Sequence, residues 1–503
     1  MPKEKVNIRN MKDKIKQQIL QILENENCDV RKKYLSIERL IIDVMTMHVK
    51  SQNKTMEIEP YRGCHMRYDA YFPDGFDEFL GETALEIKLY GRNFRHRINE
   101  IVGRIYVEDN TLKNLIIVIV GNLTPDAKEE LQNLKYNKTR FSITIWDIDN
   151  LAELFLKYEK YFEEIYKNIN ALSVKQAVTK AIHYNKDSYK KKREQYIKEL
   201  AIKYNDDDLV LVLGAGASAE AQIATWDDLI SELFVVLIDK ELTENGIVID
   251  ESAKEKLISE IKKQNENSPL LQTRFIKQGI EKEFEKIVGE VLYKKVINYS
   301  PLLERVGQLC VSKRGKYGVK AIINYNFDDL VEQTLEKKEI PYRSVYTDGV
   351  IPEKEEIGIY HVHGFLPRKK EGYEKLTESL LVFSEEGYHK LMLEPYNWAN
   401  IVQLSSFMNN TCLFIGLSMT DPNLRRLLDV AAQKDADGIC RHYAIMKRMK
   451  IKQVSGDEIE KFEQINDELQ ESFYGKLGVN VIWVDDYKEI PELLREIRCR
   501  RVD

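Results

Sequence analysis

The chain has 503 residues, 43% of them hydrophobic and 31% charged, which is enough for two or three separate cores and is the balance of a globular fold in water. A formal net charge of -6 excludes a global attraction to nucleic acid or to an anionic membrane, so any polyanion site has to be local. Cys28, Cys64, Cys310, Cys412, Cys440 and Cys499 are widely spaced and form no C-x-x-C pair, which argues for reduced thiols in a cytoplasmic protein and against a zinc module.

The opening MPKEKVNIRNMKDKIK alternates charges without an apolar run, and the expectation is a solvated helix rather than a secretion signal or membrane anchor. Ile15, Ile19, Leu20, Leu35, Leu40 and Ile41 recur at helical spacing and predict two helices, broken near ENENCD. RYDAYF and TALEIKLY read as strands joined by the turn-rich PDGFDEFLGE. A basic helix around FRHRINEIVGRI follows, then a buried strand LIIVIV, a helix capped by Thr124, and a closing strand SITIWDID. Together these predict a compact α/β domain over residues 1–170.

Asp69 on one arm of the predicted hairpin and Glu86-x-Lys88 on the other resemble the PD-(D/E)xK pattern of restriction-endonuclease-like domains. SITIWDIDNLAELF resembles the closing strand and helix of that fold. The resemblance implies that Asp69 and Glu86 could hold Mg2+, a hard cation suited to carboxylate oxygens, while Lys88 orients the attacking water. Alternation does set Glu86 and Lys88 on one strand face and Leu85, Ile87 and Leu89 on the other, but any half-exposed strand shows the same pattern. Arg92, Arg95, Arg97 and Arg104 on the basic helix read either as phosphate contacts or as a solvated face. Three uses stay open for the domain: metal-dependent DNA cleavage, sensing of nucleic acid, and docking of a partner such as a ring ATPase of the HerA type.

Residues 171–205 are rich in Lys and almost free of turn residues, which predicts a charged helical connector ending at NDDD. From residue 206 to 503 the strands LVLVLG, AIINYNF, IYHVHG, TCLFIGLS and VNVIWV alternate with helical stretches, the pattern of a Rossmann-like, doubly wound parallel sheet. The stretch from about 229 to 299 is nearly all helical and longer than one crossover needs, so a helical insert is expected there.

The first of these strands runs into Gly214-Ala215-Gly216, with Ala217 and Ser218 next. A buried strand ending in such a turn and entering a helix presents backbone N–H groups where a pyrophosphate binds, and Gly216 would let it approach without meeting a Cβ. The same turn also permits mere tight packing of strand on helix. Asn326 and Asp328 follow a second strand, His363 and Gly364 a third, and Gly416, Ser418 and Asp421 a fourth. In an open parallel sheet these ends gather along one edge, so the polar groups are expected to converge on Gly214.

GAGAS followed by TWDDL, NYNFDDLVE, HVHG, LVFSEEGYHKL and FIGLSMTDPNLRRLL, in that order, resemble the sirtuins and most closely the sirtuin-like domains of prokaryotic antiphage defence proteins. The resemblance implies that Gly214, Ala215, Gly216 and Ser218 bind the phosphates of NAD, that Asn326 and Asp328 line the nicotinamide and ribose pocket, and that His363 is the general base. It further places Gly416 and Ser418 against the adenosine half and counts Trp226, Gly364 and Asp421 among cofactor-binding positions. Tyr325 stands where the family has Thr or Gln, which changes a pocket wall. The chemistry agrees: loss of nicotinamide leaves an oxocarbenium-like ribose that needs fixed dipoles and a base near neutrality, although His363 also reads as a buried, satisfied histidine. His361 reads as structural. Without the four-cysteine module of protein-deacylating sirtuins, water is the expected acceptor, making the product ADP-ribose. The expectation is a homo-oligomeric NAD glycohydrolase acting as a regulated abortive-infection effector; the alternative is a Mg2+-dependent nuclease whose sirtuin-like domain senses NAD or an ADP-ribose derivative.

Overall fold

In a computed structural model, the structure describes residues 2–24, 30–58, 60–62, 66–90, 94–121, 123–124, 126–127, 129, 140–167, 188–265, 269–280, 283–297, 299–311, 318–434, 441–451 and 456–500. The chain divides into two units, Met1–Ser188 with Gln433–Gly438 and Met449–Lys476, and Tyr189–Ala432 with Ile439–Arg448 and Leu477–Asp503.

The first unit is built on strands β1 (Glu57–Ile58), β4 (Ala70–Phe72), β5 (Thr83–Leu89), β6 (Asn114–Val120) and β7 (Ser142–Trp146), with β2 (Tyr61–Arg62) and β3 (Met66–Arg67) as a separate ribbon. The sheet order is β1-β4-β5-β6-β7; β1, β4 and β5 pair antiparallel, whereas β5, β6 and β7 run parallel. The helix Phe94–Glu108 makes the β5 to β6 crossover. Leu85 and Ile87 enter one core with Ile15, Ile19, Leu40 and Ile41 of the two N-terminal helices, and Ala84 enters a second with Ile98, Ile105 and Leu115. With both faces covered, β6 is written as the unbroken run LIIVIV rather than an alternation. Thr124 Oγ1 accepts the Ala127 N–H at 3.2 Å, as its predicted capping role requires, while most of the helix it would open lies outside the described residues. One element of this unit was not foreseen: the helix Asp457–Lys476, whose Ser472 Oγ accepts Arg39 Nη2 at 2.7 Å.

The second unit holds a seven-stranded sheet of β8 (Leu209–Leu213), β9 (Val319–Asn324), β10 (Tyr342–Val345), β11 (Ile357–His361), β12 (Thr411–Ile415), β13 (His442–Lys447) and β14 (Val479–Val484). The order is β10-β11-β9-β8-β12-β13-β14 with every pair parallel, the doubly wound arrangement expected. From β8 the chain first builds outward on the β9 side and then crosses back to place β12 on the other side. In doubly wound sheets a reversal of this kind is where a ligand crevice forms, at the carboxyl end of the first strand. Helices Trp226–Glu244, Glu251–Asn265, Pro269–Ile280 and Phe284–Tyr293 fill the expected insert. Residues 188–205, read from sequence as part of a charged helical connector, are helical, but Tyr196, Ile197, Leu200 and Tyr204 are buried in this unit's core. Residues 168–187 lie outside the described residues. Among the described residues no helix is long and apolar enough to cross a membrane.

Candidate active site

The four strand ends that the sequence points to are level with one another. Leu213 pairs in register with Asn324 on one side and Ile415 on the other, and Asn324 pairs with His361. The loops leaving β8, β9, β11 and β12 therefore start from one line along the sheet edge.

At β8 and β12 the two loops interlock. Gly214 N–H donates to Ile415 O at 3.0 Å and Gly216 N–H to Gly416 O at 2.9 Å. A Cβ on Gly216 would stand 2.8 Å from Gly416 Cα, and one on Gly416, whose φ is +69°, would stand 2.3 Å from Ala217 N. The bare backbone is thus required first by the approach of one loop to the other, which is the packing alternative raised from sequence. Ala215 and Gly216 nonetheless stay exposed above a helical turn, Ala215–Ser218. Ser418 is exposed with its Oγ 2.6 Å from Thr420 Oγ1.

Asn326 ties the β9 loop to this turn: its Nδ2 donates to Gly214 O and to Ser218 Oγ, both at 3.1 Å, and it is 8% exposed. Its own main chain is held from β11, where His361 Nδ1 lies 3.2 Å from Asn326 O and His361 Nε2 lies 2.6 Å from Glu332 Oε1. The Asn326 carbonyl can only accept, so Nδ1 carries a proton there. Asp328 is almost wholly buried; Leu330 N–H reaches its Oδ1 at 3.1 Å, while Oδ2 has no hydrogen-bond partner. Burial pushes the Asp328 carboxyl up to about 6, against the pull of the Leu330 N–H.

His363 faces Asp421 from across the crevice, with Nε2 3.4 Å from Asp421 Oδ2. Both atoms are sealed from solvent and neither has a hydrogen-bond partner. Burial lowers the affinity of the imidazole for a proton, with the Asp421 charge acting in opposition, so the ring is held in its neutral, basic form. The rings of Tyr325 and Tyr388 wall it, with centroids 4.5 Å and 5.7 Å from the imidazole and near-perpendicular planes for Tyr388. Gly364 takes a φ of +111°, and a Cβ there would stand 2.7 Å from Leu380 O.

The structure therefore brings Gly214, Ala215, Gly216, Ser218, Asn326, Asp328, His363, Gly364, Gly416, Ser418 and Asp421 to one edge. Trp226 packs in an aromatic cluster with the Phe383 ring 5.0 Å away and, at 6.5 Å, the ring of Phe327, which stands between Asn326 and Asp328. Sequence reasoning assigned no role to Tyr388 or Glu332. Tyr388 looks like one more apolar position of an amphipathic helix, whereas Glu332 could have been noticed as an acid four residues after Asp328 within the apolar LVEQTL.

In the first unit, Asp69, Glu86 and Lys88 also meet. Asp69 leads into β4 opposite β5, and Lys88 Nζ lies 2.7 Å from Glu86 Oε2 and 3.5 Å from Asp69 Oδ2. Asp69 Oδ2 also accepts the Ile87 N–H at 2.5 Å, and Glu86 Oε1 is buried without a partner. Burial and the Asp69 charge push the Glu86 carboxyl up to about 7 against the attraction of Lys88. Among the described residues no group of three or more His, Cys, Asp or Glu is arranged to hold a metal ion. The side chain of Arg97 and all of Arg92 lie outside the described residues.

Residues 320–470 match the family model of the SIR2-like domain. The chain is 28% identical over 183 residues to a protein of Enterococcus faecium, 22% over 318 residues to one of Cytobacillus dafuensis, and 27% over 180 residues to one of Bacillus cereus, each named NAD(+) hydrolase ThsA. These alignments take in 34%, 61% and 34% of this chain but only 36%, 56% and 35% of the relatives, so the chain spans from about a third to a little over half of their length. The family match holds Asn326, Asp328, His363, Gly416, Ser418 and Asp421 and begins after Gly214 to Trp226, so from β9 through β13 the second unit is similar to SIR2-like domains.

Proposed function

We propose that the second unit is an NAD glycohydrolase that cleaves NAD to nicotinamide and ADP-ribose. One observation carries the reading: at the topological switch point, Asn326 is bound to the Gly214 turn while His363, from the neighbouring strand end, faces Asp421 at 3.4 Å. The diphosphate would lie over the exposed Ala215 and Gly216, with Ser218 as a further contact and Gly416 and Ser418 against the adenosine half. Asn326 would hold the ribose or the water, and Asp328, with its unpartnered oxygen, would take the carboxamide of nicotinamide. The ribose to nicotinamide bond breaks with its electron pair leaving on nicotinamide; a water oxygen bonds the ribose carbon, and its proton passes to His363 and then to solvent. The names of the relatives support the substrate and the reaction.

The same proposal takes the protein as a regulated, homo-oligomeric abortive-infection effector with a restriction-endonuclease-like first unit, activated there by nucleic acid or by a ring ATPase partner of the HerA type. Incubation of the purified chain with NAD, alone and with DNA, tests it: nicotinamide release by the wild type and its loss in His363→Ala are expected. A second reading, a Mg2+-dependent nuclease whose sirtuin-like unit senses NAD or an ADP-ribose derivative, is favoured by the buried, unpartnered Glu86 Oε1 beside Asp69. Two carboxylates of this kind fit a hard cation, which would polarise a phosphate while Lys88 orients water. Metal-dependent nicking abolished by Glu86→Ala would decide for it.

A further inference from the structure

We propose that Asp421 is a positioning residue for His363, receiving the Nε2–H so that Nδ1 is the nitrogen that takes the proton of the nucleophile. The inference deepens the hydrolytic reading and rests on it. Two polar atoms, each sealed from solvent and each without a hydrogen-bond partner, face one another at 3.4 Å, His363 Nε2 and Asp421 Oδ2. Both side chains are about nine-tenths buried, at 10% exposure each. A buried acceptor and a buried ring nitrogen left in this relation are complementary only when the nitrogen bears the hydrogen, and such contacts commonly shorten when substrate closes the site.

The carboxylate is itself fixed. Asp421 Oδ1 accepts the Leu424 N–H at 2.6 Å and so caps the helix Pro422–Lys434, which leaves Oδ2 facing the ring, with the Tyr388 phenol as the carboxylate's other polar neighbour. The other titratable groups set against His363 are Tyr325, from the loop after β9, and Tyr388, from the helix Glu385–Leu393. Burial pushes both phenols up, so neither is ionised near neutrality, and Asp421 supplies the charge that the imidazole feels. An anion in this place is also a poor neighbour for a diphosphate, which separates Asp421 from the phosphate contacts at Gly214 to Ser218.

The test is the pH profile of nicotinamide release by wild type and Asp421→Asn. Asparagine keeps the helix cap, so the fold is expected to persist, and matching thermal unfolding would show it. The variant should lose about tenfold or more in kcat with KM within about threefold. Its acid limb in kcat/KM should move to lower pH, because the charge that favours imidazolium is gone. A raised KM with unchanged kcat, or an acid limb that stays in place, would overturn the proposal and return Asp421 to the nucleotide contacts. Should the wild type release no nicotinamide, the hydrolytic reading fails instead, and nitrogen NMR of ring-labelled histidine still decides the tautomer: Nε2–H at His363 is expected, and Nδ1–H would contradict the assignment.

Discussion

The two acidic clusters of this chain are built from similar residues and end in opposite states. In the first unit Lys88 bridges Asp69 and Glu86, so the charges largely answer one another and a single oxygen, Glu86 Oε1, is left over. At the edge of the second sheet the unanswered atoms face a crevice: Asp328 Oδ2, His363 Nε2 and Asp421 Oδ2 are all buried without partners. Buried polar atoms cost free energy when unpaired, so the hydrolytic reading rests on their clustering at a switch point, where it pairs His363 with Asp421 and leaves Asp328 Oδ2 for nicotinamide. Composition alone does not separate a self-satisfied cluster from a receptive one; the count of unpaired atoms does.

The largest effect that would sharpen this contrast is kinetic. His363→Ala and Asn326→Ala are each expected to lower nicotinamide release about 10²- to 10⁴-fold with little change in thermal unfolding, whereas Lys88→Ala should leave release unchanged. Next comes the support behind Asn326. Glu332→Ala leaves His361 without its buried partner and should destabilise the second unit by about 3–5 kcal/mol, measured by denaturant unfolding, while Glu332→Gln, able to donate to Nε2, should cost far less.

A smaller loss, about 2–4 kcal/mol, is expected for Gly416→Ala, because a left-handed residue acquires a Cβ against Ala217 N. Activity should fall with it, since the turn at Gly214 and Gly216 rests on the same contact. The smallest effect lies in the first unit and depends on pH. The Glu86 carboxyl rises from its ordinary value of 4.5 to about 7 on folding, so the folded unit holds a proton that the unfolded chain releases. Its contribution is complete below about pH 4.5 and is lost as pH rises through about 7. Hydrogen exchange of β5 amides should show stability declining across that window, a decline absent in Glu86→Gln.

Much of the second sheet was legible because parallel strands covered on both faces are written as apolar runs, and β8 and β12 run straight into Gly214 and Gly416 while β9 and β11 end in Asn324 and His361. The short β10, YRSV at the sheet edge, and β13, HYAIMK, carry polar residues and gave no such run. The helix Ser188–Asn205 shows the converse error. Its stripe of Tyr196, Ile197, Leu200 and Tyr204 has helical spacing, yet the lysines between dominated the reading and made a core helix look like a tether. At the site, residue identity was legible and the reason often was not. Gly214 and Gly216 point to phosphate and Gly416 to the adenosine half in the sequence, but their first requirement is each other. The reach of Asp421 across the crevice to His363 joins residues 58 positions apart and has no local signature.

The central claim is that the switch-point crevice binds NAD and breaks its nicotinamide bond, and chromatography of nucleotide products tests it most directly. Wild type and Asn326→Ala would be incubated with NAD over a range of protein concentration, with and without double-stranded DNA. The account predicts nicotinamide and ADP-ribose in equal amounts from the wild type and neither from the variant. Absence of nicotinamide across the whole range, or equal release by both proteins, would contradict it.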